Sequence, residues 1–261
     1  MMWRPWQSTL PRGCEVKALA AIVRRELIAT FSSPLAYIVM AAFLLLQGAL
    51  FALIIGYLSQ PGQSSMSILQ AFFGGTIFFW FFLVVAPLIT MRLVAEERRS
   101  GTIEVLLTSP VTEAQVIIGK FTGVFIFYLA LWAPTLIYVL MVKTQAAIDW
   151  GAVASSYLGV ALFGALFVSL GLFASTLARS QIIAAVIAFT GLILLFGLPL
   201  MRGLLMSSSG LGAMIDHADL WQQMADYSKG IVDTRFVVYE LSLTGLFLFL
   251  STKSLELGKW R

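Results

Sequence analysis

Few residues in this chain could carry out chemistry. Among 261 residues there is one histidine, His217, and one cysteine, Cys14. A histidine-based zinc site needs several ligands, so a lone imidazole cannot build one. A lone thiol closes no disulfide within the chain. No Gly-x-x-x-x-Gly-Lys-Ser/Thr run is present, and neither Gly101-Thr102 nor Gly119-Lys120 approximates one. The backbone cradle that holds nucleotide phosphates is therefore missing from the sequence. The pair Glu96-Glu97 could serve an intramembrane protease, but that chemistry also requires histidines at depth. Glu240 is the one carboxylate expected inside an apolar span, and intramembrane carboxylates can mark ion paths. It falls about one turn from the outer end of its span, close to Arg235, and reads as an interfacial group paired there. A proton-coupled carrier would need more such groups near mid-span.

The remaining polar feature is an island between apolar runs. It begins Met91-Arg92-Leu93-Val94-Ala95-Glu96-Glu97-Arg98-Arg99-Ser100-Gly101-Thr102-Ile103-Glu104-Val105-Leu106-Leu107-Thr108-Ser109-Pro110-Val111-Thr112 and runs on to Gly119-Lys120. A short helix around Thr102–Ser109 is expected to stop at Pro110, because proline cannot continue a hydrogen-bonded turn. Thr112 with Gln115 forms a capping box and Val111 with Val116 a hydrophobic staple, so a new helix should start at Glu113. A charged, capped segment that returns at once to apolar sequence is a place where a partner could grip a membrane protein.

The elements that hold the island are apolar. The chain is 59% hydrophobic and 11% charged, with mean hydropathy +0.91. Such a composition excludes a soluble domain and indicates an all-α polytopic membrane protein. No charged residue occurs from Leu27 to Met91, enough for two spans of roughly 20 residues each. Six spans are expected: from Ser33-Pro34 to Leu58, Ala71–Val94 with a kink at Pro87, Glu113–Met141, Gly151–Leu177, Ile182–Leu200 and Phe236–Thr252. The fourth carries Gly159, Gly164 and Gly171, which would let neighbouring helices approach closely in lipid.

Before the first span, Val16, Leu19, Ala20, Val23 and Leu27 recur on one helical face, with Lys17 and Arg24 opposite. This pattern predicts an interfacial elbow helix over 15–33, lying in the membrane surface, after a loosely ordered N-terminal extension over 1–14. The six-span domain then covers 34–261, with the island at 96–113. An outer loop at 202–235 contains an amphipathic helix from Met214 to Lys229, with Ile215, Leu220 and Met224 apolar and Asp216, Asp219 and Asp226 acidic. With the N-terminus inside, only Lys143, Arg202, Lys229 and Arg235 of the 17 basic residues fall outside. The positive-inside rule therefore places both termini in the cytoplasm, and it accounts for the net charge of +4 without nucleic acid.

The run from Ala95 to Pro110, followed by Gly119-Lys120-Phe121, resembles the signature of type-2 ABC transporter permeases. Pro134-Thr135-Leu136-Ile137-Tyr138, Ser156-Tyr157-Leu158-Gly159, Gly171-Leu172-Phe173-Ala174-Ser175 and Gln181-Ile182 resemble the gliding-motility-associated branch, as do Ser33-Pro34-Leu35-Ala36-Tyr37 and Lys229-Gly230. The resemblance covers about residues 18 to 261. It implies six spans after an elbow helix, and a pairing with a second permease copy or a related permease. It also implies a cytoplasmic ABC ATPase dimer, which would hold the ATP and Mg, leaving no cofactor in this chain. The resemblance makes the island a coupling helix, with Glu97, Arg98, Gly101, Thr102, Glu104, Leu106, Leu107, Pro110 and Thr112 as its contact residues. Arg98 and Arg99 could also anchor the island to anionic headgroups.

These features together predict the permease subunit of an ATP-driven, export-type transporter in a bacterial cytoplasmic (inner) membrane. The branch further implies a membrane partner with a large periplasmic domain. The alternative is an ATP-driven mechanical or scaffolding subunit that acts on an outer-face partner and transports no solute.

Overall fold

A computed structural model describes residues 12–60, 67–101, 112–144, 148–197 and 218–258. Their regular structure is entirely helical: α1 Arg12–Phe31, α2 Pro34–Leu58, α3 Ile68–Phe73, α4 Thr76–Thr90, α5 Ala95–Ser100, α6 Glu113–Trp132, α7 Leu136–Lys143, α8 Trp150–Leu177, α9 Gln181–Gly197, α10 Leu220–Ser228 and α11 Thr234–Gly258, with a 3-10 turn at Ala133–Thr135. Among the described residues, five stretches are long and apolar enough to cross a membrane: α2, Phe78–Arg99, Glu113–Lys143, α8 and Thr234–Leu257. A sixth apolar helix, α9, has 17 described residues.

The breaks between helices have local causes. The second span does not begin as one helix at Ala71, because Gly74-Gly75 separates α3 from α4. Glycine pays the largest backbone entropy in a helix. In α3, Ser67 and Gln70 form a capping box. Pro87 lies inside α4, and the helix gives way to a turn over 91–94 one turn later. The third span is likewise interrupted: Pro134 falls in the 3-10 turn between α6 and α7. The predicted start at Glu113 is present. Thr112 Oγ1 accepts from the Gln115 amide at 3.2 Å, and the Thr112 amide donates to Gln115 Oε1 at 3.0 Å.

α8 is the axis of the bundle. It packs against α11, α9, α4, α6 and α10, and 83% of its apolar window is buried against 17% for α11. The predicted close approaches occur on it. A Cβ added at Gly159, Gly164 or Gly171 would run into Tyr227, Tyr128 or Thr90 respectively. Around this axis an aromatic core includes Phe78, Phe82, Trp132 and Phe167. On the periphery Leu45, Leu53, Ile182 and Leu194 point outward, as a hydrocarbon solvent allows.

The first helix starts at Arg12, ahead of the expected boundary at residue 15, and residues 1–11 lie outside the described residues. Its buried ridge also differs from the predicted stripe. Ile22 and Glu26 are buried and Ala20 is exposed. The ridge turns toward α6, because Gly119 and Gly123 leave room there. A Cβ at Gly119 would sit 2.6 Å from Ile22 Cγ2, and one at Gly123 2.8 Å from Glu26 Cβ. Only α10, capped by Asp219, is described of the amphipathic helix expected over 214–229. His217, Ile215 and Asp216 lie outside the described residues.

Candidate functional site

Four charged side chains from three elements meet at the charged end of the second span. α1 supplies Arg25 and Glu26, α5 supplies Glu97 and α6 supplies Lys120. Lys120 Nζ donates to Glu97 Oε1 at 2.9 Å and to Glu26 Oε1 at 3.1 Å. Arg25 Nη2 donates to the same two oxygens at 2.8 and 3.0 Å. The quartet is electrically neutral. The Lys120 side chain is only 2% exposed, Glu26 10% and Glu97 20%, whereas Arg25 is 53% exposed and forms the solvent edge. Partial burial works to lower the Arg25 pKa, and the carboxylates of Glu26 and Glu97 outweigh it, so the guanidinium is held above its ordinary value. A lysine this buried requires paired anions, and these two supply them.

The position of each group follows from local sequence. Gly119 and Gly123, one turn apart, let α1 lie directly on α6, which brings Glu26 within reach of Lys120. α5 is a single short helix whose first-turn Glu96 and Glu97 precede Arg98 and Arg99, the order its dipole favours. Gly101 ends it at φ 72°, a left-handed conformation that suits glycine.

A second anchor fixes the start of α5. Ser175 of α8 accepts from the Val94 amide at 3.0 Å and the Ala95 amide at 3.1 Å, and its hydroxyl donates to the Met91 carbonyl at 3.3 Å. These groups would otherwise be orphaned where α4 unwinds. Ala95, Ala178 and Ala184 pack together beneath. The segment leading into the island is thereby tied to α1, α6 and α8 at once.

Of the predicted site residues, Glu97 faces inward, into the quartet. Arg98 is half-buried and near enough to Arg179 for like-charge repulsion. Gly101 is exposed at the end of α5, and Thr112 caps α6. The structure holds these two ends of the island in place. Thr102, Glu104, Leu106, Leu107, Pro110 and Val111 lie outside the described residues.

Sequence reasoning missed Arg25, Glu26, Lys120 and Ser175 as site residues. One signal was available: Glu26 falls four residues after Ile22, on the ridge that also carries Leu19 and Val23. A carboxylate on such a ridge needs a buried cation opposite it.

Glu240 is not where the sequence placed it. It is fully buried, and no ion pair joins it to Arg235 among the described residues. Neither carboxylate oxygen makes a hydrogen bond of ordinary distance and angle, and the Tyr227 hydroxyl is its polar neighbour. Burial first, then the neighbouring Glu240, push the Tyr227 phenol above its ordinary range. No group of three or more histidine, cysteine or acidic residues among the described residues could hold a metal ion.

Residues 20–226 match the family model described as "ABC-2 family transporter protein". No curated protein matches the chain.

Proposed function

The chain belongs to the ABC-2 transporter family, and from that premise we propose that it is a permease subunit moved by a separate ABC ATPase through the island at 96–113. The observation that carries this reading is the anchoring of the segment that enters the island. Glu97 is bound to Arg25 and Lys120, and the start of α5 is bound to Ser175. A force applied to 102–111 would pass through α5 to α4, α8 and α1, and through the Thr112 cap into α6. A loose loop would dissipate such a push.

In this reading ATP and Mg reside in the partner. ATP binding closes the ATPase dimer, the island moves with it, and the anchored helices follow as one unit. Glu97 serves as a positioning residue inside the permease. Arg98, Thr102, Glu104, Leu106 and Leu107 face the partner, and Gly101 and Pro110 bound the contacting helix. In the same reading the two ends of the chain lie on the island's side of a bacterial inner membrane, an orientation that the distribution of basic residues supports. A second permease copy completes the transporter. Export, and a further partner with a large outer domain, are supported by the motif resemblance to the gliding-type branch alone.

The test is gentle purification from native membranes with identification of every co-purifying chain, repeated with Glu104→Lys. The wild type should bring down an ATPase. Glu104→Lys should fold normally and lose it. A variant that retains the full amount of ATPase would remove the island from the contact.

A further inference from the structure

Among the described residues the bundle buries three charged side chains, Glu26, Lys120 and Glu240. Glu26 and Lys120 neutralise each other in the quartet. Glu240 has no such partner. It is fully buried on α11, and neither oxygen makes a hydrogen bond of ordinary distance and angle. The elements packed against it bring no cation. α8 carries no charged residue, and its Tyr157 is engaged with Thr135 at 2.8 Å. α6 holds Glu113 and Lys120 at the island end, and its Tyr128 hydroxyl donates to the Val160 carbonyl. α10 presents the Tyr227 hydroxyl, the polar neighbour of Glu240, and Tyr239 precedes it on α11. Beyond them Asp226 is paired with Lys229 at 3.6 Å, and Asp233 Oδ1 accepts from the Arg235 amide at 2.8 Å. An ionised carboxylate in such surroundings costs far more than the neutral acid.

The ligand that fits is a proton. One carboxylate and one phenol fall short of the roughly six oxygen ligands a hard cation takes. The packing is also close. A Cβ added at Gly159 of α8 would sit 2.7 Å from the Tyr227 ring and 3.2 Å from Met224 Sδ. α10 forms the cover. The Tyr227 ring lies against Phe236, one turn before Glu240, with centroids 6.5 Å apart. The Tyr227 carbonyl accepts from Ser155 Oγ of α8 at 2.5 Å. α10 has nine residues and joins α11 through a turn at Gly230, φ 88°. So short a helix can open without unfolding the bundle. Ser155 and Ser175 stand about 30 Å apart along α8, so α10 lies at the end of the bundle away from the island.

We propose that Glu240 is a proton-binding site under a movable cover: its carboxyl holds a proton while α10 is packed on α8 and α11, and releases it when α10 lifts. The proton passes from the carboxyl oxygen to water on the side away from the island, and no other bond changes. The site stands on the packing of these three helices and does not depend on the ATPase contact.

Difference infrared spectroscopy of the full chain in lipid nanodiscs at neutral pH, wild type against Glu240→Gln, tests it. The expected wild-type signal is the carbonyl stretch of a protonated carboxyl, absent from Glu240→Gln. Transfer to deuterium oxide should shift that band slowly, at the rate at which the cover opens. Ser155→Ala removes the bond that holds Tyr227 to α8 and should make the shift about two- to tenfold faster, as loss of one hydrogen bond would. A carboxylate band in place of the acid band would overturn the proton site. An unchanged exchange rate in Ser155→Ala would overturn α10 as its cover.

Discussion

Replacing Lys120 by methionine keeps a long side chain and removes the buried ammonium that Glu26 and Glu97 share. The two contacts, at 2.9 and 3.1 Å, are each worth roughly 5 kcal/mol at an effective dielectric of about 20. Desolvation of the three groups offsets much of this, at several kcal/mol per ion. After substitution the carboxylates remain close together and repel each other by roughly 3 kcal/mol. Arg25, whose side chain is 53% exposed, screens only part of that. Breaking a buried pair from one side typically costs about 3–5 kcal/mol, and that loss is expected for Lys120→Met. Adding Glu26→Gln removes one of the two anions and leaves the Arg25–Glu97 pair at 2.8 Å intact. The double variant should regain most of the stability, because a neutralised site of similar shape costs little. Thermal unfolding in lipid nanodiscs reads both effects, and ATP hydrolysis by the proposed partner ATPase reads whether the joint still transmits motion. A Lys120→Met protein within about 1 kcal/mol of wild type, or a double variant no better than the single, would refute the electrostatic account of the joint.

Three further outcomes are expected. Ser175→Ala removes the acceptor of two buried amides and should cost about 1–3 kcal/mol, with faster hydrogen exchange at Val94 and Ala95 as the specific readout; protection equal to wild type would show that these amides find other partners. Gly164→Ala drives a methyl into the Tyr128 ring and should lose about 1–3 kcal/mol by overpacking, while Gly245→Ala, where nothing lies within 4 Å of the added carbon, should gain up to about 1 kcal/mol in helix propensity; equal unfolding temperatures would contradict the packing of α8. Glu240→Leu should leave thermal stability unchanged or higher, since its carboxylate oxygens make no hydrogen bond of ordinary distance and angle and replacing an unsatisfied polar group by an apolar one of similar size is neutral or favourable; a marked loss would mean that Glu240 has a partner besides a proton.

The sequence specifies whatever depends on composition and on groups close in the chain. The apolar runs require helices, because hydrocarbon leaves backbone polar groups no partner outside the helix. The Thr112–Gln115 box starts α6 because donor and acceptor lie three residues apart, and that geometry is local. The Gly159, Gly164 and Gly171 spacing announces a helix that others approach closely. Boundaries were less legible where two weak signals competed. The spans expected over Ala71–Val94 and Glu113–Met141 are each broken, at Gly74-Gly75 and at Pro134.

Only the tertiary structure decided which charges meet. Lys120 counts as one more basic residue near a membrane end until α1 lies on α6 and brings Glu26, 94 positions away in sequence, to 3.1 Å. The family resemblance makes Glu97 an outward contact residue; the fold turns it inward to the two cations. Ser175 is an ordinary hydroxyl within an apolar helix until the unwound turn at 91–94 presents amides to it. Glu240 is adjacent to an expected partner in sequence, but the packing of α10 and α8 around α11 closes it off from solvent. Periodicity fixes the face of a helix on which a residue sits, whereas burial and pairing depend on which helix covers that face, and distant parts of the chain settle that together.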